Sequence, residues 1–176
     1  MKRSLYLIAI IAAAPAFAED SRHLDAHEHG VGKLNIAIDG GTMAMEFHAP
    51  GADIVGFEYA AESEADLAAI DDAIAVLDKP LDLFIVPDAA GCTVTEAHAE
   101  LEGDDDHDEH GSESDHTEFH AEYSLTCDSP DALTEIKFAY FGLFPNAKEV
   151  EVQMITTSGA QAFEVPRDTP ILNLER

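Results

Sequence analysis

Apolar side chains alternate on both sides of a Gly-Gly pair: Leu34, Ile36 and Ile38 precede Asp39-Gly40-Gly41-Thr42, and Met43, Met45 and Phe47 follow it. Period-two spacing puts each triplet on one face of an extended strand, so the segment reads as an antiparallel hairpin with one face buried and one wet. Glycine suits the positive φ that a two-residue primed turn requires. The pattern returns in the second half, where Phe119, Ala121, Tyr123, Leu125 and Cys127 share one side of a strand and Ile136, Phe138 and Tyr140 share another. Val150 to Ile155 and Ala162 to Val165, on either side of Ser158-Gly159, form a second hairpin. Each half also carries a Pro-small-Ala step, Pro50-Gly51-Ala52 and Pro145-Asn146-Ala147, which suggests two pseudo-related halves.

One segment breaks the β period. Leu67, Ile70, Ile74 and Leu77 fall at helical spacing, Ser63 with Asp66 three residues on makes a capping-box-like start, and Pro80 ends the run. The spacing predicts one clear helix over about 63–79. Leu81 to Val86, nearly continuous in apolar residues and closed by Pro87, reads as a short buried strand. The fold class expected is therefore α+β, mainly antiparallel hairpins and sheets with one helix.

Lys2 and Arg3, an uncharged run from Leu5 to Ala14 and the small-x-small step Ala16-Phe17-Ala18 make residues 1–18 a secretory signal peptide. Cleavage after Ala18 would leave residues 19–176 as a single exported domain in the periplasm, with no later stretch apolar enough to insert in a membrane. Thirty-six acidic residues against nine basic ones give a net charge of −27. Such a field repels phosphate, so nucleic acid and anionic lipid are excluded as partners, and it concentrates cations. Cys92 and Cys127 are the only cysteines, and in an oxidising compartment the expected outcome is a disulfide between them. Paired thiolate metal ligands are the alternative.

The histidines carry the strongest chemical signal. Seven of nine fall in two places: His23, His27 and His29, and His107, His110, His116 and His120. The second group belongs to residues 98–120, a stretch with five histidines, ten acidic residues and almost no apolar side chains. From Glu102 to Asp115 too little apolar area exists to offset ordering entropy, so a mobile His/Asp/Glu-rich loop is expected, with Cys92 and Cys127 tying its base. Imidazole with carboxylate is the donor set of zinc, which takes about four such ligands, although other divalent transition metals share them. His116, Glu118 and His120, at i, i+2 and i+4, would share one face of a strand. His27 and His29 have the parity of Lys33 and Asn35, so the two strands could present the donors on one surface if they are neighbours, which the sequence leaves open, with His98, His107 and His110 capturing metal in the loop. His48, placed opposite Lys33 in the first hairpin, is as well explained as an ordinary surface histidine.

No H-E-x-x-H, G-x-S-x-G, phosphate loop or dinucleotide fingerprint occurs, so the reading is a binding protein and not an enzyme. A nonspecific acidic metal buffer or metallochaperone is the alternative, and a metal-dependent hydrolase with scattered ligands is a third.

The chain resembles the ZrgA-like periplasmic zinc-binding proteins of Gram-negative bacteria. The resemblance rests on Ala26-His27-Glu28-His29-Gly30, Val55-Gly56-Phe57-Glu58, Leu83-Phe84 to Pro87 with Cys92, the His/Asp/Glu-rich insert, Glu122-Tyr123 before Cys127, Phe144-Pro145 and Val152-Gln153. It implies zinc acquisition beside a zinc ABC transporter and its substrate-binding protein, with His27, His29, His116 and His120 at histidines of the family's motifs. Tyr59 departs from that pattern, at a position where many relatives would carry histidine, and the insert here is richer in carboxylate than in histidine.

Overall fold

The computed structural model describes residues 28–103 and 116–174. The expected signal peptide, His23, His27, His107, His110 and the bulk of the expected mobile loop lie outside them. The described residues are α+β, with two sheets that are mostly antiparallel and one helix longer than two turns.

The first hairpin forms as expected: β1 (Val31–Asp39) pairs antiparallel with β2 (Thr42–Pro50), and Asp39 faces Thr42 across the two-residue turn. Gly40 takes φ 57° there. Gly41 is required for a different reason, because a β-carbon on it would meet the Cys127 carbonyl oxygen at 2.8 Å. The Gly41 carbonyl in turn accepts from the Cys127 N–H at 2.7 Å, so the turn is stitched to the neighbouring strand.

Short helix α1 (Gly51–Ile54) follows, and then α2 (Glu64–Leu77), whose first turn is capped by Ser63 Oγ accepting from Asp66 N–H at 3.0 Å. Ile70, Ala73 and Leu77 are its buried residues, whereas Leu67, expected on the same face, stands half exposed. The Leu81 to Val86 strand is a correction. Pro80–Leu83 is a helical turn, α3, and only Phe84–Ile85 is strand, β3. Proline at the first helical position has its φ already set and no N–H to leave unpaired, so Pro80 starts a turn as readily as it stops one.

Strand β4 (Cys92–Gly103) and strand β5 (Thr117–Cys127) form the long hairpin around residues 104–115. Cys92 lies directly opposite Cys127 and the two are bonded at 2.05 Å, which decides between disulfide and thiolate ligands. Strand β6 (Glu135–Phe138) ends before the helical turn α4 (Tyr140–Leu143), so Tyr140 leaves the strand pattern yet is fully buried. The second hairpin, β7 (Glu149–Thr156) with β8 (Gly159–Pro166), turns at residues 157–158, and Gly159 opens the returning strand. Strand β9 (Ile171–Asn173) closes the fold.

The large sheet has the order β4-β5-β2-β1-β7-β8, and the small one β3-β6-β9. All neighbours are antiparallel except β1 and β7. Leu34, Ile36, Met43, Met45, Phe47, Phe119, Tyr123, Leu125, Val150 and Val152 point from the large sheet into the core. The small sheet and its turns meet them through an aromatic cluster, with Phe47 edge-on to Phe84 and Tyr140 at 5.4 and 5.1 Å and Phe84 edge-on to Phe138 at 5.4 Å. Helix α2 is pinned at its end by the Tyr123 hydroxyl, which donates to the Leu77 carbonyl at 2.9 Å. The opposite face of the large sheet carries the polar residues of each alternation and lies open. No helix among the described residues is long and apolar enough to cross a membrane.

Candidate metal centre

Alternation dictates what the open face presents. With Leu34, Met45, Phe47, Phe119 and Tyr123 turned inward, Lys33, Asn35, Glu46, His48, Glu118, His120 and Glu122 must turn outward. Register then aligns them. His48 pairs with Lys33 on one side and His120 on the other, and His120 pairs with Glu100 of β4. Two register positions along, Glu46 lies between Asn35 and Glu122, and Glu122 faces His98. The outward set on β4 depends on a bulge between Val94 and Glu96: the extra residue reverses the pleat, so His98, Glu100 and Glu102 point out while Ala97, Ala99 and Leu101 point in.

At the middle of this array the His48 and His120 rings stack 4.4 Å apart and 14° from parallel. Their Nε2 atoms each lie 3.6 Å from Glu46 Oε1. His120 Nε2 is buried and has no hydrogen-bond partner. A buried nitrogen without a partner costs about 1–3 kcal/mol unless something satisfies it. Glu46, His48 and His120 can each bring one donor atom within 4.8 Å of the other two, as can Glu100, Glu102 and His120. The first set, two imidazoles and a carboxylate, fits the chemistry of a zinc ion, which would leave at least one coordination position to water or another donor.

Electrostatics agree with a cation-binding function. Hydrogen bonding to Glu118 is the main cause that raises His48 above the usual imidazole value, with the charges of Glu118 and Glu46 adding to it against the cost of burial. Glu46 is held below the usual carboxylate value, first by the Asn35 side-chain amide, which donates to Oε2 at 3.0 Å, and then by His48 and His120. Carboxylates of Glu46, Glu118, Glu100 and Glu102 thus surround the two imidazoles.

A second cluster sits at the end of the sheet. His116 Nδ1 is 2.8 Å and His29 Nε2 3.5 Å from Glu58 Oε2, and Glu58 Oε1 is buried without a hydrogen-bond partner. His29 reaches Glu58 because the chain turns at Gly30, where φ is 96° and both oxygens of the buried Asp53 accept from the Gly30 N–H at 2.8 and 2.9 Å.

Several expectations about the donors are altered by this placement. His29 does not continue the parity of Lys33 and Asn35, because it belongs to the turn before β1. The strand bearing Glu118 and His120 is not beside β1; β2 lies between them and brings Glu46 and His48 into the array. His116 precedes β5 and joins Glu58, apart from Glu118 and His120. His98 is exposed, with Glu100 at 3.9 Å. Glu46 is not among the donors expected from the sequence, His48 stays open there between a ligand and an ordinary surface histidine, and Glu58 stands only within a resemblance motif. For Glu46 and His48 a signal was present: they stand at i and i+2 on the polar face of the best-defined hairpin, but the partner strand brings His120 from 72 residues beyond His48 along the chain.

Beyond Glu46 the open face forms a groove of about 1070 Å³, lined by Glu46 and by small side chains such as Ala37, Ala44, Thr95 and Ser124.

No curated protein matches the sequence. A family model described as ZrgA family zinc uptake protein matches residues 26–174, a span that includes both clusters and both sheets. The chain belongs to the ZrgA family of zinc uptake proteins.

Proposed function

We propose that this chain binds zinc reversibly in the periplasm and serves its acquisition, with Glu46, His48 and His120 as the protein ligands of the tighter site. The observation that carries the reading is the convergence of His48 Nε2 and His120 Nε2 on one oxygen of Glu46, from two adjacent strands of a rigid sheet. Sites on strands hold their geometry better than sites on loops, so this arrangement favours a defined centre over a diffuse acidic buffer. His29, Glu58 and His116 offer a further, weaker position at the sheet end, to which His23 and His27 lie close in sequence. The residues His98, His107 and His110, with the carboxylates of the acidic stretch, would raise the local zinc concentration and not define its coordination. Ligand chemistry and family membership both support zinc as the cargo, and a transporter's substrate-binding protein is the acceptor proposed for it. No catalytic role is part of this reading; the groove beside Glu46 lies on the open face of the sheet, unlike the water-excluding pocket that a metal hydrolase needs.

Calorimetric zinc titration of the full chain beside His48→Ala, His120→Ala and Glu46→Ala tests it. Each variant is expected to lose the tight phase, with affinity down on the order of a hundredfold or more, since a ligand contributes more than an outer partner worth about ten- to a hundredfold. A tight phase that survives in all three would remove the centre from these strands.

A further inference from the structure

Each of the three residues at the centre has one polar atom facing the others and one facing away, and each atom that faces away meets a different side chain. Glu46 turns Oε1 to the histidines and gives Oε2 to the Asn35 amide at 3.0 Å. His48 turns Nε2 inward and has Nδ1 3.4 Å from Glu118 Oε2. His120 does the same, with Nδ1 3.3 Å from Glu102 Oε1.

We infer that Asn35, Glu118 and Glu102 are positioning residues for the metal ligands Glu46, His48 and His120, and that the two carboxylates act from outside the coordination sphere. This rests on the zinc-binding reading above. A carboxylate beside Nδ1 makes that nitrogen the protonated one, which leaves Nε2 with its lone pair toward the metal and increases its basicity. Glu118 would be an unsuitable direct ligand in this arrangement, because it is aimed at the nitrogen of His48 that turns away from Glu46 and His120.

Sheet geometry accounts for the pairing. Asn35 is the direct cross-strand partner of Glu46. Glu118 pairs with Pro50 and is diagonal to His48, and Glu102 pairs with Glu118 and is diagonal to His120. Diagonal neighbours on one face of a sheet lie within reach of long side chains. Four adjacent strands, β1, β2, β5 and β4, therefore each supply part of one unit, and Glu102 enters it only because the bulge in β4 turns it outward. Glu102 also belongs to the Glu100, Glu102, His120 group, in which it would bind a second ion directly, and the two roles predict different stoichiometries.

The experiment is titration of the full chain with zinc, and with cobalt as a spectroscopic reporter, for Glu118→Gln, Glu118→Ala, Glu102→Gln and Glu102→Ala, with metal-free melting curves to confirm folding. Expected is a ten- to hundredfold fall in affinity, smaller for glutamine, which keeps an acceptor, than for alanine, with the metal equivalents and the cobalt ligand-field bands unchanged. Glu118→Ala should add nothing further in a His48→Ala background. Unchanged affinity in all four variants overturns the inference, as does the loss of a metal equivalent or a shift of the cobalt bands, either of which would make the carboxylate a ligand. Failure of the parent to bind zinc, or indifference of the parent site to His48→Ala and His120→Ala, would instead overturn the zinc-binding reading itself.

Discussion

Asp53 has the least ordinary environment of any carboxylate among the described residues. Its side chain is buried, both oxygens accept from the Gly30 N–H, and burial raises its pKa above the usual aspartate value despite that bond and the nearby His29 and Lys148. A folded-state pKa raised above the unfolded one contributes stability that is present below the unfolded value, near 3.8, and lost as pH rises through the folded value. At neutral pH the buried charge is therefore a cost. Asp53→Asn retains an acceptor for Gly30 and removes the charge, so its stability relative to the parent should improve as pH is raised from about 4 toward 7. Urea denaturation of both proteins across that range checks this, and a constant difference would show that the charge of Asp53 is not what matters. The same residue illustrates a limit on legibility. Nothing in the string Gly51-Ala52-Asp53-Ile54 distinguishes this aspartate from an exposed one; its role exists only once α1 is folded against the turn at Gly30.

At the level of elements, β4 is the edge of the large sheet, and two features hold it in register: the bulge after Val94 and the disulfide to β5. The cysteines close a loop of 35 residues' separation, for which the chain-entropy estimate is about 4 kcal/mol of stabilisation. Reduction, or the Cys92→Ala/Cys127→Ala pair, is expected to lower the unfolding free energy by that order, measured by urea titration with and without reductant. An unchanged midpoint would mean that strand pairing alone suffices. The hairpins and α2 were legible because each is a local pattern: alternation about Gly40-Gly41, and helical spacing after Ser63. Strand β3 and the end of β6 were less so, since a short run such as Leu81 to Val86 has the same apolar content whether it turns or extends, and Pro80 favours the turn. The bulge left no mark that could be read from β4 alone, yet it decides which of its side chains reach the open face.

For the whole molecule, the acidic stretch and the sheet take separable parts in the zinc binding proposed above. Glu46, His48 and His120 lie on β2 and β5, while residues 104–115 join strands whose pairing already extends to Gly103 opposite Thr117. Replacing residues 104–115 with a two-residue turn should leave the tight zinc phase in place and reduce the weaker, salt-sensitive binding that a net charge of −27 provides. Calorimetry at low and high salt distinguishes these, and loss of the tight phase in the deletion would put the ligands in the acidic stretch. What the amino-acid sequence determined without help is whatever depends on neighbours along the chain: the β alternation, the α2 cap and stop, and a donor set of imidazole and carboxylate of the kind that suits a metal ion. The tertiary structure alone decided which donors meet, because strand order is a long-range choice. The chain places β2 between β1 and β5, and this brings His48, unremarkable in its own hairpin, against His120, while His29 and His116 leave the expected rows to meet at Glu58.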